Sequence, residues 1–400
     1  MTVFHNAPAP VADPIFGVVE RFKNDTNPKK VNLVTGVYSD NTGAVPLMKS
    51  VKQAGEIIAQ NANAHTYQAI TGNSAYNSAV QKLILGDDFV AANSDRLITV
   101  QALGGTGALK LGADLLKRLA TKPTKILISN PSWENHQAIF EKAGFEVGTY
   151  SYYSPALKGI DFDAMLADLK AASEGTIIIL HACCHNPTGY DLSNDQWQQV
   201  IEVIKTNNLM PYLDMAYQGF DKGLAKDGAI IRRFAEEGLS FLVASSFSKS
   251  MGLYGQRVGA LSLVCQDGDE TKRVKSLTSN VIRTNYSNPP IHGAALAELV
   301  LTNPDLNKLW QDELAEMRDR IKDMRQQLVQ GLNDRQVHGV DHIARQTGMF
   351  SYSGFSAEVM TRLQQDFAIY GLESGRMCVA ALNSNNITYI CDAIATTVKG

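Results

Sequence analysis

Between residues 96 and 264, short apolar, β-branched runs alternate with helical patterns, and this alternation restricts the possible folds more than any other feature. The candidate strands are RLITVQ (96–101), KILISN (125–130), TIIIL (176–180), MPYLDM (210–215), FLVASS (241–246) and GALSLV (259–264). Between them lie stretches such as ALKLGADLLKRLA (108–120), where Leu111, Leu115 and Leu119 share one helical face. Strands and helices in alternation argue for an α/β fold, a mostly parallel central sheet flanked by helices.

After Pro304 the period changes. Leu306, Trp310, Leu314, Met317, Ile321, Met324, Leu328 and Leu332 recur every three or four residues over a charged background, which predicts one long amphipathic helix around 304–334. A coiled coil would use the same spacing, but a single such segment reads better as a helix bridging two domains. The remaining C-terminal residues look α+β, and VNLVTGVYSDNTG (31–43) is too short to fold alone and is expected to pack with them. The expected organisation is an N-terminal arm (1–13), a large domain (46–315) and a smaller α+β domain (14–45 and 316–400), linked by the long helix.

Bulk composition narrows the function classes. Four hundred residues with 44% hydrophobic and 19% charged content suit a globular chain with a large core. A formal net charge of −3 offers no overall attraction to nucleic acid or anionic lipid. No apolar run approaches the roughly 20 residues of a membrane helix, and MTVFHNAPAPVADPIF lacks the basic-then-apolar order of a signal peptide. Five cysteines, two of them adjacent, do not make a disulfide framework. These features together predict a cytoplasmic protein with no nucleic-acid or membrane partner.

Four stretches carry candidate chemistry. LGGTGALKLGADLLKRL, from Leu103, reads as strand, glycine-rich turn and helix, an arrangement that holds phosphate on backbone N–H groups. It is neither the dinucleotide fingerprint nor a P-loop, because Lys110 stands where the fingerprint needs a small residue and no Gly-Lys-Ser/Thr follows; glycine in a tight turn is the plain alternative. In FLVASSFSKSMGLYGQRVGALS, Lys249 is the only charged side chain between Phe241 and Gln256. Most lysines simply face solvent. One that follows an apolar strand, among Ser246, Ser248 and Ser250 and with Arg257 nearby, should have a depressed pKa and a nucleophilic amine suited to Schiff-base chemistry. In LDMAYQGF, Asp214 sits at a strand's C-terminal edge, where α/β sheets bind ligands, although a helix-capping aspartate would look the same. In NPSWENHQAIF, Trp133 and His136 follow another strand end and could equally be structural. Together these supply what pyridoxal phosphate requires: an imine-forming lysine, a carboxylate for the ring nitrogen, an aromatic face and phosphate donors.

HACCHNPTGYDL (181–192) places two histidines and two cysteines within five residues. Structural zinc sites draw ligand pairs from two separate places, and no second pair exists here, so no metal is expected. His181 and Cys183 are read as the end of a buried strand, and His185 as standing behind the cofactor pocket.

The whole chain, from DPIFGVVERFK onward, resembles the aspartate/aromatic branch of the fold-type I pyridoxal-phosphate aminotransferases. HACCHNPTG, DMAYQGF, SFSKSMGLYGQRVG, IRTNYSNPP and SGR carry the resemblance, in the same order and at similar separation. It implies a homodimer with shared active sites, using pyridoxal 5′-phosphate on amino-acid and 2-oxo-acid substrates. Lys249 would form the imine and shuttle the proton. Asp214 would pair with the ring nitrogen, with His136 behind it. Tyr217 and Asn186 would bond the phenolic oxygen, and Trp133 would stack on the ring. Gly105, Thr106, Ser246, Ser248 and Arg257 would hold the phosphate, joined by Tyr67 of the other subunit. Gly36, Trp133 and Asn186 would line the substrate site. Arg376 would take the α-carboxylate as a bidentate fork, and Arg283, from the other subunit, a distal carboxylate.

The same resemblance bears on substrate. Met377 and Cys378 after Arg376, and Gly104 in the glycine-rich turn, resemble aromatic members. Ser39, Val45 and Thr66 replace more polar or basic choices near the entrance. Val37, Thr106 and Asn288 look aspartate-like. The expected enzyme is an aromatic-amino-acid transaminase using 2-oxoglutarate as acceptor and also taking aspartate; the alternative is an aspartate aminotransferase with minor aromatic activity. A β-lyase or decarboxylase on the same cofactor is the nearest chemical rival, and Arg376 with Arg283 weighs against it. A regulator's sensing domain would need a DNA-binding module before residue 14.

Overall fold

The apolar runs of the middle third assemble into one seven-stranded sheet. The structure, a computed structural model, describes residues 2–7, 14–61 and 66–399. Residues 1 and 8–13 of the expected arm lie outside the described residues, and Val3–Asn6 form a single 3₁₀ turn.

In chain order the strands used below are β1 (Val31–Asn32), β2 (Leu97–Leu103), β3 (Lys125–Asn130), β4 (Glu146–Ser151), β5 (Ile177–His181), β6 (Met210–Met215), β7 (Phe241–Ser246), β8 (Val258–Val264), β9 (Phe350–Tyr352), β10 (Ile369–Tyr370) and β11 (Arg376–Cys378). The large sheet runs β2–β8–β7–β6–β5–β3–β4. Every neighbouring pair is parallel except those of β8, which runs antiparallel to both β2 and β7. Burial on both faces explains the unbroken apolar runs. On β5, Ile177 and Ile179 enter one core with Leu109, Leu115 and Phe140, while Ile178 and Leu180 enter the other with Ile204, Trp197 and Phe234.

Three of the six expected strands (125–130, 210–215 and 241–246) match the structure residue for residue, and the ends of the other three differ by one or two residues. β4 gave no apolar signal, because it is the sheet's edge and only Tyr150 of its six residues is buried. The buried strand ends at His181, so Cys183 belongs to the loop that follows, where Cys184 takes a φ of +51°.

Three helices matter for the site: α1 (Gly104–Leu119), α2 (Glu134–Lys142) and α3 (Pro304–Asp334). The long helix α3 starts where Asn303 accepts the Asp305 and Leu306 N–H groups and Pro304 fills the first position. All eight residues of its apolar stripe are buried, along with Val329 and Arg325. Burying one such aliphatic side chain is worth roughly 1.5–3 kcal/mol, so the stripe decides where the helix lies.

The N-terminal stretch packs on the last third of the chain. Val31 pairs in parallel with Ile369, and the Cys378 N–H donates to Leu33 O. β9 and β11 form a second small sheet in which Tyr352 faces Arg376. Among the described residues, no helix is long and apolar enough to cross a membrane.

Candidate active site

The parallel strands all end on one edge of the sheet, and the loops leaving that edge enclose a cavity of about 260 Å³. β2 leads into α1 through Leu103-Gly104-Gly105. Gly104 has a φ of +70°, and a Cβ there would stand 2.6 Å from Arg257 Nη2. The turn also presses on β8: a Cβ at Gly259 would meet Gly104 C at 2.6 Å. Glycine at both positions lets the backbone, Gly105, Thr106 and Arg257 converge at the start of a 16-residue helix. Ser246, the last residue of β7, and Ser248, just past it, line the same cavity, and the Ser248 N–H donates to Ser246 Oγ at 3.2 Å. N–H groups at a helix start, hydroxyls and a guanidinium together make an anion cradle of phosphate character.

Lys249 lies in the same cavity. Burial depresses its amine, Asp214 works the other way, and Arg257 and Arg376 add to the depression, leaving its pKa below the ordinary lysine value. Its Nζ stands 5.1 Å from the centre of the Tyr217 ring. Burial pushes the Tyr217 phenol up, so it stays a neutral hydrogen-bonding group at ordinary pH.

Asp214, in register with His181 and Ala244, projects from β6 into the cavity. Its Oδ2 accepts a hydrogen bond from His136 Nε2 at 3.0 Å, while His136 Nδ1 accepts from the Ser132 hydroxyl at 2.9 Å. Burial works to raise the Asp214 pKa, but the His136 bond and the charge of Lys249 outweigh it and hold the carboxyl below its usual range. Its Oδ1 is buried without a partner. A buried carboxylate oxygen without a donor is costly, and it is open to a cationic N–H from a bound ring.

The loop after β5 presents Asn186. Asp191 accepts the N–H groups of Cys184 and His185 at 2.7 and 2.9 Å, and Gly189, with a φ of +69°, donates to His185 O. Asn186 Oδ1 accepts from Arg376 Nη1 at 3.2 Å. Arg376 also donates to Val34 O at 3.2 Å and lies 4.3 Å above the Phe350 ring. Its Nε is buried without a partner, and Glu134 Oε2 is 3.7 Å from Nη1. Gly36 makes room for Phe350, because a Cβ there would stand 2.6 Å from Phe350 Cζ.

Gly36, Gly105, Thr106, Trp133, Asn186, Asp214, Tyr217, Ser246, Ser248, Lys249, Arg257 and Arg376 therefore face one cavity. His136 does not line it and stands wholly buried behind Asp214. Tyr67 and Arg283 do not line it either; Tyr67 is 94% exposed, and Arg283 lies on the surface beside Ser287. His185 is buried, stacked on Tyr152 and bonded to Ser129 and Thr188.

Sequence reasoning missed Tyr254 and Phe350. Tyr254 stood unassigned inside SFSKSMGLYGQRVG, and its hydroxyl accepts the Tyr38 N–H at 3.0 Å. Phe350 had no local signal, since only tertiary packing brings its strand to the site.

His136, His181 and Asp214 bring ligand atoms within 4.8 Å of one another. This cluster shares only His181 with the histidine–cysteine run of the sequence, and the His136 bond already uses one oxygen of Asp214.

The donor set fits a phosphorylated, carbonyl-bearing cofactor: an anion cradle, an unpaired buried carboxylate oxygen and a buried amine share one cavity. The family model described as aminotransferase class I and II matches residues 28–394. The chain is 49% identical to the aspartate aminotransferase of Pseudomonas aeruginosa over 398 residues, covering 98% of this chain and 99% of the relative. It is 44% identical to the aromatic-amino-acid aminotransferase of Escherichia coli, covering 99% of this chain and all of the relative. Among solved structures, the aromatic-amino-acid aminotransferase of Burkholderia pseudomallei, covalently bound to pyridoxal phosphate, superposes with a TM-score of 0.96 at 49% identity, covering 99% of this chain and 100% of the other.

Proposed function

This chain belongs to the class I and II aminotransferases, and we propose that it moves amino groups between aromatic amino acids and 2-oxoglutarate on pyridoxal 5′-phosphate. Tyrosine, phenylalanine and tryptophan are its aromatic substrates, and it accepts aspartate as well. The observation that carries this reading is the buried Lys249 amine sharing one cavity with the unpartnered Asp214 Oδ1 and the unpartnered Arg376 Nε.

When bound, pyridoxal phosphate supplies a carbonyl that condenses with amines and a ring that draws electrons from the substrate Cα. Gly105, Thr106, Ser246, Ser248 and Arg257 hold its phosphate, with Tyr67 added by a second subunit. Trp133 covers the ring face. Asp214, backed by His136, keeps a proton on the ring nitrogen. Asn186 and Tyr217 hydrogen-bond the phenolic oxygen. Lys249 would hold the cofactor through its amine and, once freed by substrate, would serve as the base and acid that moves the substrate Cα proton, a role that its lowered pKa favours. Arg376 grips the substrate α-carboxylate through the donors left open on its buried face, next to Gly36. The two half-reactions run in ping-pong order.

Met377, Cys378, Gly104, Ser39, Val45 and Thr66 support the aromatic preference, as do the relatives named for aromatic substrates. An aspartate aminotransferase with minor aromatic activity is the second reading, favoured by the Pseudomonas relative and by Arg283. The exposure of Tyr67 and Arg283, away from this chain's own cavity, supports a homodimer in which each subunit completes the other's site. We assign 46–315 to a large cofactor-binding domain and 14–45 with 316–400 to a small one, in a cytoplasmic enzyme.

Borohydride reduction of the purified protein followed by peptide mapping tests the reading. The label is expected on Lys249, and its absence there removes the central claim. Steady-state rates then choose between the two substrate readings: tyrosine activity below about a thousandth of aspartate activity, some 4 kcal/mol of discrimination, leaves the aspartate enzyme.

A further inference from the structure

Arg376 already has a negative partner within the chain. Glu134 opens the first turn of α2, directly after Trp133, and its Oε2 lies 3.7 Å from Arg376 Nη1. That distance is within ion-pair range but too long for a hydrogen bond. The two ends of the pair are unequal: the Arg376 side chain is 2% exposed and that of Glu134 35%. Among the described residues, no other carboxylate pairs with Arg376. Its remaining contacts are neutral: Asn186 Oδ1, Val34 O and the Phe350 ring. The buried guanidinium is thus compensated by one charge held at a distance, on a side chain with room to turn toward water. Its Nε stays open to a ligand that can form short, charge-assisted bonds.

We propose that Glu134 is a displaceable counter-charge for Arg376, neutralising the guanidinium while the carboxylate seat is empty and opposing the substrate α-carboxylate that takes it. This rests on the reading of Arg376 given above. A substrate carboxylate on the open donors of Arg376 brings a second negative charge beside Glu134, and the two repel. Glu134 therefore weakens carboxylate binding and speeds release of the oxo-acid product, whose carboxylate sits in the same seat. It is a positioning residue that acts through Arg376.

The test is calorimetric titration of the holoenzyme with 3-phenylpropionate, which offers a carboxylate and an aromatic ring but no amine to react. Replacing the carboxylate by an isosteric amide in Glu134→Gln is expected to tighten binding about 3- to 10-fold, the range of a partly exposed ion pair. KM for amino-acid substrates should fall by a similar factor while kcat changes less than about 2-fold. Glu134→Ala should shift affinity in the same direction, which guards against an effect peculiar to the amide. Unchanged or weaker binding in both variants, at wild-type melting temperature, overturns the proposal. Arg376→Ala separates the two failures. If it abolishes binding while the Glu134 variants stay neutral, the counter-charge alone is refuted. If it leaves 3-phenylpropionate affinity unchanged, the assignment of Arg376 as the carboxylate site fails and the proposal fails with it.

Discussion

His181 ends β5 with both ring nitrogens buried and unpartnered, between the rings of His136 at 5.1 Å and His185 at 4.2 Å. Burial, aided by His136, pushes its pKa down to about 3, against 6.5 for a free imidazole. In the folded chain the ring is neutral at any pH above that value. In the unfolded chain it binds a proton below about 6.5. The unfolded state therefore holds more protons between the two values, and stability falls as pH drops through that window, by about 1.4 kcal/mol per pH unit for this one group. His181→Phe removes the titration. Denaturant melts from pH 4 to 7 should show a shallower decline for the variant than for the wild type, and parallel declines would refute the assignment. At this scale the sequence was only half legible. The histidine–cysteine run that suggests a metal site is absorbed by ring packing and by the loop that presents Asn186. Lys249, Asp214 and Asn186 stood out because polar groups directly after apolar runs are rare unless they have work at a strand end.

At the scale of elements, the short strand β9 holds the substrate side of the cavity in place. Arg325, buried in α3, donates to Gly348 O at 2.6 Å, to Phe350 O at 3.1 Å and to Ser351 Oγ at 3.3 Å. Burial lowers its pKa to about 10, still far above physiological pH, so the guanidinium stays charged and keeps its donors on these acceptors. The strand so fixed carries Phe350, which lies between Gly36 on one side and Arg376 on the other. Gly36→Ala drives a methyl group into the Phe350 ring and shifts the seat of Arg376. KM for tyrosine and for aspartate should both rise about 10-fold or more, as reacting groups move off their aligned positions. The absorption band of the bound cofactor should not change, because the phosphate cradle is untouched. A lost cofactor band, or an effect on one substrate only, would refute this coupling. The buried strands and the long helix were legible because continuous burial or a one-sided stripe imposes a period on the sequence. The edge strand β4 was not, because it has water on much of its surface and its composition follows no such rule.

At the scale of the whole molecule, the proposed dimer makes a prediction no single subunit can meet. If Arg283 serves the partner's site, mixing inactive Lys249→Ala with Arg283→Ala generates hybrids. One of their two sites then combines a wild-type lysine with a wild-type arginine. After refolding together in equal amounts, random pairing should restore roughly a quarter of wild-type aspartate activity. No recovery would place Arg283 in its own subunit's site, and undiminished aspartate activity of Arg283→Ala by itself would place it outside the site altogether.

Sequence alone determined the alternation of buried strands and helices, the long amphipathic helix and the residue types able to handle an amine, a phosphate and a carboxylate. Each is a local property, set by periodicity or by polar groups placed at strand ends. Tertiary structure decided which of them meet. Arg376 bonds residues 190 and 342 positions away in the chain. Phe350, Tyr254 and Glu134 became part of the site only when the loops closed around one sheet edge. Contacts across such separations are set by the packing of the whole chain, and packing leaves no period in the letters on either side.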